Sequence, residues 1–96
     1  MDTKKLFDLS GKTAIITGGG NGIGKASAII LAAFGANVVV SDYKTEAAEA
    51  VATEINNNGG NAIALNCDVT KDEALVNLVD KSLEKYGNIN ILVNNV

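Results

Sequence analysis

Five of the ten glycines in this 96-residue chain fall in one short run, Thr17-Gly18-Gly19-Gly20-Asn21-Gly22-Ile23-Gly24. A run of this kind between a strand and a helix suits the binding of a pyrophosphate. The turn must reverse tightly, the backbone must approach the phosphates closely, and the helix must pack near the strand. The helix that follows then presents free N–H groups and a partial positive charge to the anion. The spacing is T-G-x-x-x-G-x-G, carried by Gly18, Gly22 and Gly24, and no set of glycines here satisfies G-x-G-x-x-G.

Two other readings of the turn stay open. Gly19, Gly24 and Lys25 match the first seven positions of the P-loop, G-x-x-x-x-G-K-[ST], but the eighth is Ala26, which has no hydroxyl for Mg²⁺, and Ser27 comes one place too late. A glycine-rich turn with no ligand is the other.

Asp42 stands 18 residues after Gly24. An acidic side chain at the end of a second strand accepts hydrogen bonds from both hydroxyls of an adenosine ribose and repels a 2′-phosphate. No Arg exists in the chain to bind such a phosphate, although Lys44 is close. NAD is therefore expected over NADP. The plainer reading of Asp42 is a solvated carboxylate in a turn. Asn21 and Tyr43, beside these two features, are taken into the expected cofactor site.

These residues need a scaffold, and the hydropathy pattern supplies one. Thr13–Thr17 reads as a buried strand and Ile23–Phe34 as a helix stopped by Gly35. Asn37–Ser41 is a second buried strand. Glu46–Asn57 is a second helix ended by Asn58-Gly59-Gly60, and Ala62–Asn66 is a third strand. Thr70, with Glu73 three residues on, reads as a capping box for a third helix. That helix carries Leu75, Leu78, Val79, Leu83 and Tyr86 on one face and stops at Gly87. Ile89–Val93 is the fourth strand. The order β-α-β-α-β-α-β predicts a parallel sheet with helices on its faces. With right-handed crossovers the strand order is 3-2-1-4, half of a Rossmann-type doubly wound α/β sheet. Residues 1–96 read as one nucleotide-binding domain, N-terminal part only. The chain stops at or just after the fourth strand, and we read it as truncated.

Composition excludes several functions. The net charge is −3, with eight Lys and no Arg, so no nucleic-acid partner is expected. There is no His and only one cysteine, Cys67, so no metal site and no internal disulfide are expected. Cys67 reads as a small buried apolar side chain. Met1–Ser10 has no apolar run of signal-peptide length, and no stretch spans a membrane. No membrane association and a cytoplasmic location are the expectation.

Four runs at matching positions resemble the short-chain dehydrogenase/reductase family across essentially the whole chain. They are Leu9-Ser10-Gly11-Lys12, the Thr17–Gly24 turn, Cys67-Asp68-Val69, and Leu92-Val93-Asn94-Asn95. The run Val38–Asp42 further resembles bacterial 7α-hydroxysteroid dehydrogenases. The resemblance implies that Asp68 hydrogen-bonds the adenine amino group and that the Val69 amide reaches a ring nitrogen. It implies that the Ile23 amide contacts the pyrophosphate, and that Asn94 and Asn95 line the ribose and brace the sheet. On the residues alone, the plainer reading of Asp68 is a favourable charge at a helix start, and that of Asn94 a strand-end turn. The family pattern is usually N-N-A-G, and here Val96 takes the Ala place.

The family's chemistry uses a Ser, a Tyr-x-x-x-Lys pair and a further Asn, all after the fourth strand. Tyr43 is followed four places on by Ala47, and Tyr86 by Asn90, so neither forms the pair. The resemblance thus implies an NAD-dependent oxidoreductase acting on a small-molecule alcohol or ketone, working as a homo-oligomer. These 96 residues alone, carrying no catalytic residue, are expected to be inactive. A non-catalytic dinucleotide sensor on the same fold is the competing reading.

Overall fold

The computed structural model describes residues 7–95. Residues 1–6 and Val96, with the N-terminal and N-N-A-G expectations that touch them, lie outside the described residues. The order is β1 (Thr13–Thr17), α1 (Gly22–Ala33), β2 (Asn37–Asp42), α2 (Thr45–Asn57), β3 (Asn61–Asn66), α3 (Asp72–Tyr86) and β4 (Ile91–Asn94). All strand pairs are parallel, and the sheet runs β3-β2-β1-β4, as expected. None of the described helices is long and apolar enough to cross a membrane.

The two central strands are buried along almost their whole length. Strands covered on both faces must be apolar at every position rather than at alternate ones, which is why TAIIT and NVVVS read as runs. One face of the sheet, Ile16, Val38 and Val40, packs under Ala28 and Ala32 of α1 and Val51 and Ile55 of α2. The buried stripe of α1 is Gly24, Ala28 and Ala32, four residues apart and nearly without side chains, so the helix lies close on the sheet. The other face, Ile15, Val39 and Cys67, packs under Leu78 of α3. Burial pushes the Cys67 thiol pKa up, against a smaller opposing effect of the Ser41 hydroxyl. Cys67 is thus the small buried side chain expected.

Three expectations need correction. The first residue of α3 follows Lys71, not Thr70, and no side chain caps it. The Thr70 hydroxyl and N–H instead both donate to Asp68 Oδ1, at 2.6 and 3.0 Å. A carboxylate two residues upstream outcompetes the capping-box geometry by closing its own turn. On α3, Leu78 is buried and Leu75 and Tyr86 pack beside it, but Val79 and Leu83 are exposed. The helix meets the sheet over β2, and those two side chains lie outside that contact. Strand β4 starts two residues later than expected, at Ile91. Before it, polar side chains hold the chain to β1. Asn90 exchanges two hydrogen bonds with the Thr13 backbone, through its N–H and its Oδ1, and the Thr13 hydroxyl donates to Asn88 Oδ1.

The edge strand β3 is latched by one side chain. Asn56 Oδ1 accepts from the Ala62 N–H at 2.8 Å, and Asn56 Nδ2 donates to the Ala62 carbonyl at 2.9 Å. It gives the end of α2 a strand-like grip on the sheet. Asn56→Ala should destabilise the fold by about 1–3 kcal/mol, since two backbone groups lose their partner. A urea titration followed by circular dichroism checks this. An unchanged midpoint would mean that water replaces the side chain without loss.

Candidate nucleotide site

At the C-terminal ends of the strands the chain leaves a cleft of about 650 Å³. In a parallel sheet this is the end where helix N-termini and strand C-termini converge and where ligands bind. Gly18, Asn21, Asp42, Tyr43, Asp68, Val69 and Asn95 line it, drawn from four loops far apart in sequence. Gly22, Ile23, Gly24 and Asn94, expected at the site, are not on its wall. Gly22 and Ile23 are exposed at the start of α1, Gly24 is buried beneath the turn, and Asn94 is exposed at the end of β4. Lys44, Cys67 and Thr70 do line the cleft, though none was expected there; each is a chain neighbour of an expected residue.

The floor is a clamp between the ends of β1 and β4. The Thr17 hydroxyl donates to Asn94 Oδ1 at 3.0 Å and accepts from the Asn95 N–H at 3.2 Å. Asn95 Nδ2 donates to the Gly18 carbonyl at 3.3 Å. Gly18 has φ +64, and a Cβ on it would collide with the Asn95 carbonyl. A Cβ on Gly24 would collide with the Gly18 carbonyl. Both glycines are therefore required by close approach of backbone to backbone, before any ligand is considered. Gly22 differs: its φ is +54, and a Cβ there would meet nothing within 4 Å. The space beside it is open.

The start of α1 is electrostatically unlike the other two helix starts. Like α2 and α3 it follows an extended residue with no side-chain cap, here Asn21, but no acidic residue lies in its first turn. Helix α2 has Glu46 there, and α3 has Asp72 and Glu73. The first-turn N–H groups of α1 thus keep their positive end for an outside anion.

Asp42 is 7% exposed, with both oxygens engaged. Oδ2 accepts from the Gly20 N–H at 3.1 Å and Oδ1 from the Lys44 N–H at 3.0 Å. The solvated-turn reading of Asp42 does not hold. Two amides that a P-loop would turn to phosphates are already committed, Gly20 to Asp42 and Gly19 to the Ser41 carbonyl at 2.9 Å. Asn66 Nδ2 donates to the Tyr43 carbonyl and to Thr45 Oγ1, at 2.8 and 2.9 Å, which fixes the bend after β2. The exposed Tyr43 ring has the Lys44 ammonium 5.8 Å from its centre. Across the cleft, the two hydrogen bonds from Thr70 hold the Asp68 carboxyl below its ordinary pKa, with Lys71 adding to this. Both bonds fall on Oδ1.

Known proteins resemble the chain in sequence and in fold. The family model described as short chain dehydrogenase matches residues 12–96. The 7α-hydroxysteroid dehydrogenase of Escherichia coli K12 is 52% identical over 87 residues, which is 91% of this chain and 34% of that protein. Tropinone reductase-like 2 of Erythroxylum coca is 44% identical over 87 residues, 91% of this chain and 30% of that one. Among solved structures, a 7α-hydroxysteroid dehydrogenase in complex with NADH and 7-oxo glycochenodeoxycholic acid superimposes with a TM-score of 0.93 at 48% identity, over 99% of this chain and 37% of that one. The chain spans about a third of the length of the curated relatives it matches.

The clamp makes a direct prediction. Thr17→Val keeps the shape of a buried side chain but leaves Asn94 Oδ1 and the Asn95 N–H without their partner. Stability should fall by about 1–3 kcal/mol, and the Asn95 amide should exchange faster with deuterium. Unchanged protection at Asn95 would show that the hydroxyl does not hold the two strand ends together.

Proposed function

This chain belongs to the short chain dehydrogenase family, and from that premise we propose that the whole protein is an NAD-dependent oxidoreductase. It moves a hydride between a nicotinamide and a secondary alcohol or ketone, with a hydroxysteroid as the favoured substrate class. The observation that carries the reading is an acid-free helix start that borders the cleft through Asn21, paired with an anchored carboxylate on the cleft wall at the end of β2.

The residues present fit the adenosine diphosphate half of such a cofactor. The open space beside Gly22 leaves room for phosphates against the backbone, and the Gly22 and Ile23 amides at the start of α1 supply donors. Asp42 keeps a free lone pair on each oxygen for the ribose hydroxyls, and its charge disfavours a 2′-phosphate. The nearby cation, Lys44, has its ammonium over the Tyr43 ring. Asp68 is held as a carboxylate by Thr70, and its Oδ2 is left to accept from an exocyclic amino group. That chemistry suits adenine. The Val69 amide lies beside it for a ring nitrogen, and Asn94 and Asn95 brace the ribose side.

When bound, the nicotinamide supplies or accepts the hydride. No residue of this chain is assigned to proton transfer. The substrate is a small molecule, the assembly a homo-oligomer as the family resemblance implies, and the compartment the cytoplasm, with which the free buried Cys67 thiol is compatible.

Two measurements test this on the full-length protein. Reduction of NAD⁺ and of NADP⁺ should be followed with a panel of secondary alcohols that includes 7α-hydroxy bile acids. Turnover should favour NAD⁺ by about tenfold or more, about 1.4 kcal/mol; a preference for NADP⁺ would overturn the role given to Asp42. Deamino-NAD⁺, which carries a carbonyl in place of the adenine amino group, should bind about tenfold more weakly than NAD⁺, and Asp68→Asn should erase that difference. Equal affinity for the two in the unmodified protein would remove Asp68 from the adenine site.

A further inference from the structure

On the dinucleotide reading of this cleft, we infer that Asp42 is also a positioning residue for the phosphate turn, acting through the Gly20 amide. The turn is strapped down in steps. The Gly19 N–H donates to the Ser41 carbonyl at 2.9 Å, and the Gly20 N–H donates to Asp42 Oδ2 at 3.1 Å in a buried setting. Gly20 is packed so tightly that a Cβ would lie 2.6 Å from the Ala47 Cβ and 2.8 Å from Asp42 Oδ2. The other oxygen of Asp42 is held by the Lys44 N–H, so the carboxylate is itself fixed to the β2–α2 bend.

Beyond Gly20 the chain becomes exposed at Asn21, Gly22 and Ile23 and is buried again at Gly24, which packs on the Gly18 carbonyl. The three residues that face an incoming phosphate are thus suspended between two anchors. One is backbone packing at Gly24. The other is the Asp42 carboxylate. Asn21 has no side-chain cap to fix the segment from within. The direction of the Gly22 and Ile23 N–H groups is therefore set in part by a side chain 22 residues away from Gly20. One carboxylate serves the ribose by accepting hydrogen bonds and the phosphates by holding the turn that binds them.

The two roles separate on ligands without ribose hydroxyls. In the full-length protein, Asp42→Asn retains size but turns one acceptor into a donor facing an N–H. The probes are 2′,3′-dideoxyadenosine diphosphate and 2′,3′-dideoxyadenosine, measured by calorimetry and by ligand-observed NMR. The diphosphate should bind about tenfold more weakly to the variant, while the nucleoside, which has no phosphate to place, should change less than twofold. Charge alone works in the opposite direction, because removing a negative group favours an anionic ligand. Gly20→Ala, whose Cβ would press on Asp42 Oδ2 and strain the same contact from the other side, should reproduce the same split on these probes, which carry no ribose hydroxyls. The double variant should lose less than the product of the two single effects, because both break one contact. Unchanged affinity of the diphosphate for Asp42→Asn would overturn the inference, and so would an equal fall for both probes, which means general damage to the cleft. Failure of the unmodified protein to bind ADP or NADH would instead overturn the dinucleotide reading itself.

Discussion

The carbonyl of Asn95 lies where a side chain on residue 18 would have to be, and the carbonyl of Gly18 lies where one on residue 24 would have to be. These two close approaches bring β4, β1 and α1 together at one point. They require glycine at both positions, and the Thr17 hydroxyl and the Asn95 amide then lock the strand ends. The other features of the cleft depend on this junction. It sets how far the turn rises above the sheet, and so where the first N–H groups of α1 emerge. A bulkier residue at either glycine displaces a strand as well as narrowing the cleft.

Around that junction the acidic groups are distributed unevenly. No carboxylate lies in the first turn of α1, whereas α2 and α3 each carry at least one. The two carboxylates that line the cleft are both held by neighbouring backbone, Asp42 by Gly20 and Lys44 and Asp68 by Thr70. Fixed negative groups opposite a positive helix end suit a ligand that is anionic in one part and rich in hydroxyl and amino donors in another. The same fixing lowers the reorganisation needed on binding, because the acceptors already stand in place.

Much of this was legible in the amino-acid order. Strands β1 and β2 are buried on both faces, and continuous apolar runs announce them. Gly18, Gly22 and Gly24 were visible as a spacing, and Asp42 as an acid at a strand end. What could not be read were features whose partner is remote in sequence. Gly20 looks like any other glycine of the run until Asp42 and Ala47 are packed against it. Asn56 and Asn66 look like solvated polar residues, yet one latches β3 and the other fixes the bend after β2. Local competition misled in a different way. Thr70 has the composition of a helix cap, but Asp68, two residues earlier, takes both its hydroxyl and its N–H. Ile89 continues the apolar pattern of β4, but Asn88 and Asn90 tie that stretch to Thr13 and delay the strand.

The central claim is that this end of the sheet, organised by the Gly18–Asn95 junction, receives the adenosine diphosphate part of a dinucleotide. Backbone amide chemical shifts of the ¹⁵N-labelled full-length protein, followed during titration with NADH, test it most directly. The largest changes from these residues are expected in three groups: Gly18 to Gly24, Asp42 to Lys44, and Cys67 to Thr70. Changes centred instead on the second groove, between Ala32 and Gly59 at the far ends of α1 and α2, or no changes in these three segments, would contradict it.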